Sequence, residues 1–285
     1  MHSMLVKSLC FLLPIASYSN DRIAEGKTKI IRSFSDDMRY VIIESKDDIT
    51  AGDGARHDVI LGKAQLATDT TCNVFQLLTA CYLPVAFEKQ LDETKFLARR
   101  CDMIPYEVVV RREAHGSYLK RHPELKKGHV FPRLIVEFFL KTNNKVWNET
   151  SIPVDDPYVQ FDGEKALLFL PTQPLYQQHP FLVLNDFPLK NNTDCFEQMA
   201  ALAVRTFLVL EKSWQRVGGR LVDMKVEFGF DTEGALLLAD VIDNDSWRVI
   251  FDEKYIDKQI YRDGGDLEVV KNRYEFVRDL TKSFV

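Results

Sequence analysis

A chain of 285 residues that is 46% hydrophobic and 28% charged has ordinary globular composition, with apolar material for one large domain or two lobes. Its net charge of −5 speaks against non-specific attraction to nucleic acid or to a membrane surface. Five scattered cysteines, odd in number and without a CxxC pair, argue against a disulfide framework or a zinc site and point to a reducing compartment.

The first twenty residues are unusual. Lys7 followed by the apolar stretch 8–16 looks like a short export signal, too short to span a bilayer and interrupted by Pro14. An extra N-terminal strand or arm is the plainer reading, because the remaining cysteines are unpaired. Residues 22–34 (RIAEGKTKIIRSF) then read as a turn feeding a strand. Gly26 lets backbone approach a phosphate, and Lys27 and Lys29 supply charge, although such a turn also occurs on many surfaces. The GxxxxGK[ST] spacing of a Walker A loop is absent.

Residues 40–45 form a strand, and 47–56 a polar loop with two glycines. Thr50, Asp53 and Arg56 there suit an amino acid or a sugar phosphate, or the loop is a hairpin held by Asx turns. Residues 63–78 have helical spacing, with Leu66, Cys72, Phe75 and Leu78 recurring on the apolar side. Residues 85–99 give a further strand and a charged turn. Residues 101–111 read as a hinge strand in which Met103 and Ile104 can flank a nucleobase, or as a plain buried strand. His115, between Arg111 and Ser117, which stand six residues apart, reads as structural.

Residues 118–148 read as strand and loop around the apolar run 134–140. The stretch 153–192 is rich in proline and aromatics without helical period, and predicts an inserted strand pair or flap around 165–192. Its Asn191-Asn192-Thr193 sequon has meaning only in a secreted chain. Residues 195–214 form the clearest helix, with Phe196, Met199, Leu202, Phe207 and Leu210 on one face and Thr193 or Asp194 as cap. A second amphipathic helix closes the chain at 266–284, with Leu267, Val270, Tyr274, Val277 and Leu280 inward.

Between these helices lies the most informative stretch, 221–248 (LVDMKVEFGFDTEGALLLADVIDNDSWR). Its first eight residues alternate apolar and charged, as a half-buried strand does. A turn at 231–234 sends the chain back through 235–241. Asp223, Lys225 and Glu227 share one face, and the returning strand can bring Asp240 near Glu227. Two carboxylates and a lysine suit Mg²⁺ and phosphate; an exposed face of ordinary cross-strand ion pairs fits the pattern as well.

DMKVEFG followed by ADVIDNDSWR resembles the C-terminal motif of the SAICAR synthetase family, closest to the animal type that carries a fused carboxylase. EGKTK at 25–29, TAGDGAR at 50–56 and VVR…GS, with Arg111 and Ser117, resemble its other motifs, and all four stand in the family's order. The resemblance covers residues 22 to about 281, without the inserted stretch.

It implies an α+β, two-lobed fold related to protein kinases and ATP-grasp enzymes, with ATP in the cleft between lobes. The implied division is an atypical extension at 1–21, a β-rich nucleotide lobe at 22–105 and an α+β substrate lobe at 106–285. The implied reaction joins CAIR, the carboxylated aminoimidazole ribotide, to L-aspartate with ATP and Mg²⁺. The imidazole carboxylate is phosphorylated, and the acyl phosphate is then attacked by the aspartate amine. Gly26, Lys27, Lys29, Met103 and Glu227 would hold the nucleotide, and Glu227 and Asp240 the Mg²⁺. Lys225 and Asp223 would be catalytic, with Asp223 orienting Lys225 or a substrate group. Arg111, Ser117 and Arg248 would hold the 5′-phosphate, with Asp53 and Arg56 further candidates for CAIR or aspartate. A chain ending at Val285 implies a stand-alone synthetase, expected to be cytoplasmic and homo-oligomeric, with no membrane or nucleic-acid partner. Two rivals are a kinase-like enzyme acting on another small molecule and a nucleotide-binding scaffold without turnover.

Overall fold

The longest pairing in the molecule runs between two strands separated by more than a hundred residues, and everything else is arranged around it. The structure, a computed structural model, describes residues 21–284 apart from 53–54, 143, 148, 163–164 and 186–192. Asp53, the N-terminal segment 1–20 and the asparagines of the sequon therefore lie outside the described residues.

The first half builds a small antiparallel sheet. Strands β1 (Arg22–Glu25), β2 (Lys29–Ser33) and β3 (Tyr40–Ser45) follow in sequence. Of the two readings of 47–56 the hairpin is the one formed, with β4 (Asp48–Ala51) and β5 (Arg56–Val59) on either side of its glycines, and Ile49 and Ile60 beside it in a core of their own. Helix α1 (Lys63–Ala80) is followed by β6 (Phe87–Gln90) and β7 (Lys95–Arg99), which complete the sheet in the order β1-β2-β3-β7-β6. Phe75 of α1 stacks on Phe87 at 5.7 Å, and Phe87 meets Phe96 at 5.7 Å. Each such buried ring contributes about 1.5–3 kcal/mol of apolar burial.

Strand β8 (Cys101–Glu113) follows β7 directly and belongs to the larger sheet. The stretch expected as strand and loop contains a short helix, α2 (Ser117–Arg121), then β9 (Val130–Leu140) and a minor hairpin, β10 (Val146–Trp147) with β11 (Thr150–Ser151). The segment rich in proline and aromatics is a strand pair, β12 (Tyr158–Asp162) and β13 (Lys165–Phe169), with β14 (Leu182–Leu184) added. These strands extend the large sheet beyond β9. Phe161 packs against Phe196 at 4.1 Å and Phe138 at 5.3 Å, so the aromatic content serves the core rather than a flap.

Helix α3 (Thr193–Arg216) crosses the back of the large sheet with Cys195, Met199, Phe207, Leu210 and Trp214 buried. It stops where Gly218 takes φ +84°, and Gly219 N–H bonds back to the Trp214 carbonyl at 2.8 Å. Strand β15 (Arg220–Asp231) follows, then β16 (Leu236–Ala239), β17 (Trp247–Phe251) and β18 (Lys254–Tyr255). The chain ends in α4 (Gln259–Arg262) and α5 (Leu267–Thr281), the latter capped by Asp266, whose carboxylate accepts from Glu268 and Val269 N–H. The large sheet runs β14-β13-β12-β9-β8-β15-β17-β18, with β16 also on β15. One apolar core continues from Val41 and Phe96 in the small sheet to Trp214 and Phe284, so the two sheets are joined through their interior.

Candidate active site

Strand β15 was expected to be half-buried, yet it is covered on nearly its whole length. Val222, Met224, Val226 and Phe228 lie in the main core, as the alternation requires. The charged side is also covered, because neighbouring strands bring counter-charges to it. Register decides which ones. Asp223 lies opposite Arg111 and Glu227 opposite Glu107 on β8, Asp223 opposite Arg248 on β17, and Glu227 opposite Ala239, just before Asp240.

A cleft of about 500 Å³ opens between the two sheets. Ile31, Val41, Phe87, Met103 and Ile104 give it apolar walls, and Lys29, Lys141, Glu227 and Asp240 a charged end. Glu227 accepts from Lys225 at 2.8 Å and from Lys141, and Lys225 also donates to Glu107 at 2.9 Å. Asp240 pairs with Lys29, its chain turned there by a left-handed φ of +63° that Asp tolerates better than most residues. Burial would raise the Glu227 carboxyl, but the ammoniums of Lys225, Lys141 and Lys29 outweigh it and hold it at about 2. Burial would likewise lower Lys225, and the Glu107 and Glu227 carboxylates hold it above its ordinary value instead. For Lys29 burial wins, with Lys225 and Lys141 adding to it against Glu227, and its ammonium is pushed down to about 8.

A smaller pocket of about 140 Å³ is lined by Lys225 together with Arg111, Ser117, Asp223, Arg248 and Arg262. Arg111 donates to Glu137 at 2.6 Å and to Asp223 at 2.7 Å, and Arg248 to both Asp223 oxygens at 3.0 and 2.7 Å. Arg248 Nε adds a bond to Gln259 at 3.3 Å. The turn before β17 fixes this arginine: Asp243 accepts from Asp245 N–H at 2.9 Å, and Ser246 Oγ donates to the Val241 carbonyl at 3.1 Å. Gly116 is required beside it, since φ is +57° and a Cβ would stand 2.4 Å from Arg248 Nη2. Gly116→Ala is expected to destabilise the fold by about 1–3 kcal/mol, read as a fall in Tm. Part of that loss should disappear when Arg248→Ala removes the clash; equal losses in both backgrounds would sink the contact as a cause.

Most of the expected site residues meet here. Lys29, Met103, Glu227 and Asp240 line the cleft, and Arg111, Ser117, Asp223, Lys225 and Arg248 line the smaller pocket. Gly26 makes the tight β1–β2 turn by donating to the Lys29 carbonyl at 2.9 Å, and Lys27 is exposed outside the lining. Asp223 does not orient Lys225: its carboxylate is taken by two arginines, which the register puts closer. Arg56 clasps α4, donating to the Tyr261 carbonyl at 2.8 Å with its guanidinium 4.0 Å from the Tyr261 ring. His115 is buried between Tyr255 and Glu113, as a structural histidine should be. Lys141, Glu107, Glu137 and Arg262 were not singled out. Glu107 had a readable signal, since 107 and 111 share one face of a strand; the other three did not.

The donor set fits a magnesium ion. Mg²⁺ takes one or two carboxylates alongside substrate phosphates, and Glu227, held ionised, and Asp240 offer two at one end of the cleft. Among the described residues no cluster of three or more His, Cys, Asp or Glu makes a self-sufficient metal cage.

The SAICAR synthetase family model matches residues 22–154 and 183–279, leaving 155–182 outside it. A phosphoribosylaminoimidazole-succinocarboxamide synthase of Herpetosiphon aurantiacus is 37% identical over 92% of this chain and 98% of its own length. A probable multifunctional protein of Caenorhabditis elegans is 40% identical over 92% of this chain, which spans 58% of that longer protein. A SAICAR synthetase solved in complex with ADP superposes with a TM-score of 0.74 at 27% identity, covering 90% of this chain and 96% of that one. With motifs, fold and near full-length relatives in agreement, the chain belongs to the SAICAR synthetase family.

Proposed function

We propose that this chain is an ATP-dependent ligase of purine biosynthesis, joining CAIR to L-aspartate to give SAICAR, ADP and phosphate. The observation that carries the reading is a pair of pockets linked by Lys225, which lines the smaller one and bonds to Glu227 in the lining of the cleft. One has apolar walls and a charged end, as a nucleotide needs, and the other is built on two arginines, as a sugar phosphate needs. A relative solved with ADP supports nucleotide use.

In this reading the base lies against Met103 and Ile104, and the phosphates reach Lys29 and Lys141. Nucleotide between a small β sheet and a larger lobe is also the arrangement of protein kinases and ATP-grasp enzymes, to which we relate the fold. Glu227 and Asp240 would hold Mg²⁺, which supplies charge neutralisation for the phosphates when bound. Arg111, Ser117 and Arg248 hold the CAIR 5′-phosphate, which places the imidazole carboxylate near Lys225. Lys225 offsets the charge that builds as the γ-phosphoryl group moves onto that carboxylate. The aspartate amine then attacks the acyl carbon, phosphate leaves with the C–O bond, and the amine gives up a proton. Arg56 and Asp53 stay candidates for binding CAIR or aspartate. A cytoplasmic location and a homo-oligomeric state belong to the same reading. Among the described residues no helix is long and apolar enough to cross a membrane.

The test is ADP release with ATP, Mg²⁺, CAIR and L-aspartate, each omitted in turn. Release that needs all four, with a succinyl amide by mass, is the expected result; release without aspartate would overturn it.

Lys29 adds a pH prediction. Burial pushes its ammonium down to about 8 against the pull of its Asp240 partner, so the free protein begins to lose this proton as pH rises through that value. Nucleotide phosphates favour the charged form, so binding near pH 8 to 9 should take up a proton. Calorimetry in buffers of different ionisation enthalpy reads this, and Lys29→Met should abolish it. The same shift makes the unfolded chain bind the extra proton between about 8 and 10.5, so this group's drag on stability eases as pH rises through that window.

A further inference from the structure

Arg121 closes α2 and is fully buried, with no side-chain exposure. A charge in that position needs partners, and its partners come from two directions. Nη2 donates to Glu137 at 2.6 Å, and Glu137's other oxygen accepts from Arg111 at 2.6 Å. Nη1 donates to the Pro171 carbonyl at 2.8 Å, and the guanidinium lies 5.0 Å from the Tyr158 ring centre. Pro171 and Tyr158 both belong to residues 155–182, the stretch that the family model leaves unmatched. Arg121 thus joins the inserted strands to an alternating chain of charges, Arg121–Glu137–Arg111–Asp223–Arg248, that ends in the smaller pocket.

We infer that Arg121 is a positioning residue for the phosphate clamp: held by the inserted segment at Pro171 and Tyr158, it fixes Glu137 and so aims Arg111 into the pocket. The reason is geometric. A guanidinium can bind phosphate with two N–H groups only in one orientation. Arg111 has Nε committed to Glu137 and Nη1 to Asp223, so the direction of its remaining edge is set by where Glu137 sits. Glu137 is itself buried, and Arg121 and Arg111 each take one of its oxygens. Loosening Arg121 frees Glu137 to rotate, and Arg111 with it.

The inference rests on assigning that pocket to the 5′-phosphate of CAIR, and the experiment separates the two. Ribose 5-phosphate serves as a competitor against CAIR in the wild-type enzyme and in Arg121→Met, Arg121→Lys and Tyr158→Leu. Arg121→Met is expected to raise KM for CAIR and the inhibition constant of ribose 5-phosphate by about tenfold, with KM for ATP and kcat changed by no more than about twofold. Arg121→Lys, which keeps the charge and one bond, should recover part of that loss. Tyr158→Leu, far from any substrate group, should give a smaller shift in the same two constants. A fall in Tm with KM for CAIR unmoved in the folded variants would overturn the inference and leave Arg121 a structural residue. Failure of ribose 5-phosphate to compete in the wild type would overturn the pocket assignment instead.

Discussion

Lys225→Met is expected to lower kcat by about 10²–10³-fold while leaving ADP affinity within a few-fold of wild type. That is the usual loss when one group aimed at developing charge is removed from a site shielded from water. Lys225 lines the smaller pocket and is bonded to Glu107 at 2.9 Å and to Glu227 of the cleft at 2.8 Å, and these two carboxylates hold its ammonium charged throughout the working pH range. Methionine keeps the stem's volume and removes only the charge. Glu227 would retain Lys141, so the destabilisation should stay near about 1–3 kcal/mol, and a thermal melt shows whether the variant is folded when assayed. Lys225→Arg should not restore turnover, since a planar fork does not fit a slot between two carboxylates shaped for a compact ammonium. A folded Lys225→Met enzyme with kcat within tenfold of wild type would remove Lys225 from the chemistry.

The reach of the sequence is clear along β15. Its alternation told which residues share a face, because the pleat has period two. It could not tell what lies across from them, since the register of β15 on β8 joins segments more than a hundred residues apart, and that on β17 is set past a bulge. Two consequences follow from that one gap. Asp223 was expected beside Lys225 and is instead clamped by Arg111 and Arg248; Glu107, Glu137 and Lys141 escaped notice although each takes part in the charge network. A charged strand face reads as solvated unless its counter-charges are known, so burial on both sides of β15 was invisible as well. Local signals served better. The spacing of α1, α3 and α5 marks helices through contacts three or four residues apart, which a sequence does display. The 155–182 segment shows the opposite limit. Its strands are three to five residues long, too short for a period to emerge, so the sequence left a strand pair and a flap open, and the strand pair is what forms, as a sheet edge.

Arg248→Ala is expected to raise KM for CAIR by about 10²-fold with kcat at saturation changed by about threefold or less. Arg248 is the clamp residue to remove, because it is anchored through Nε to Gln259 and Nη1 to Asp223, and Nη2 stands beside Gly116 at the pocket. Arg111→Ala would confound the measurement. Arg111 is buried between Glu137 and Asp223, and leaving two buried carboxylates short of a partner costs about 3–5 kcal/mol. After Arg248→Ala, Asp223 keeps Arg111, so the fold should hold. Charge-assisted contacts to a phosphate act in the ground state and transition state alike, which is why the loss belongs in KM rather than kcat. CAIR lacking its 5′-phosphate should bind wild type and Arg248→Ala equally poorly, since the contact removed is then absent from both. A kinase-like enzyme acting on some other small molecule would keep the Lys225, Glu227 and Asp240 set yet have no use for this clamp. Unchanged turnover of CAIR after Arg248→Ala would therefore count against assigning this clamp to the CAIR 5′-phosphate.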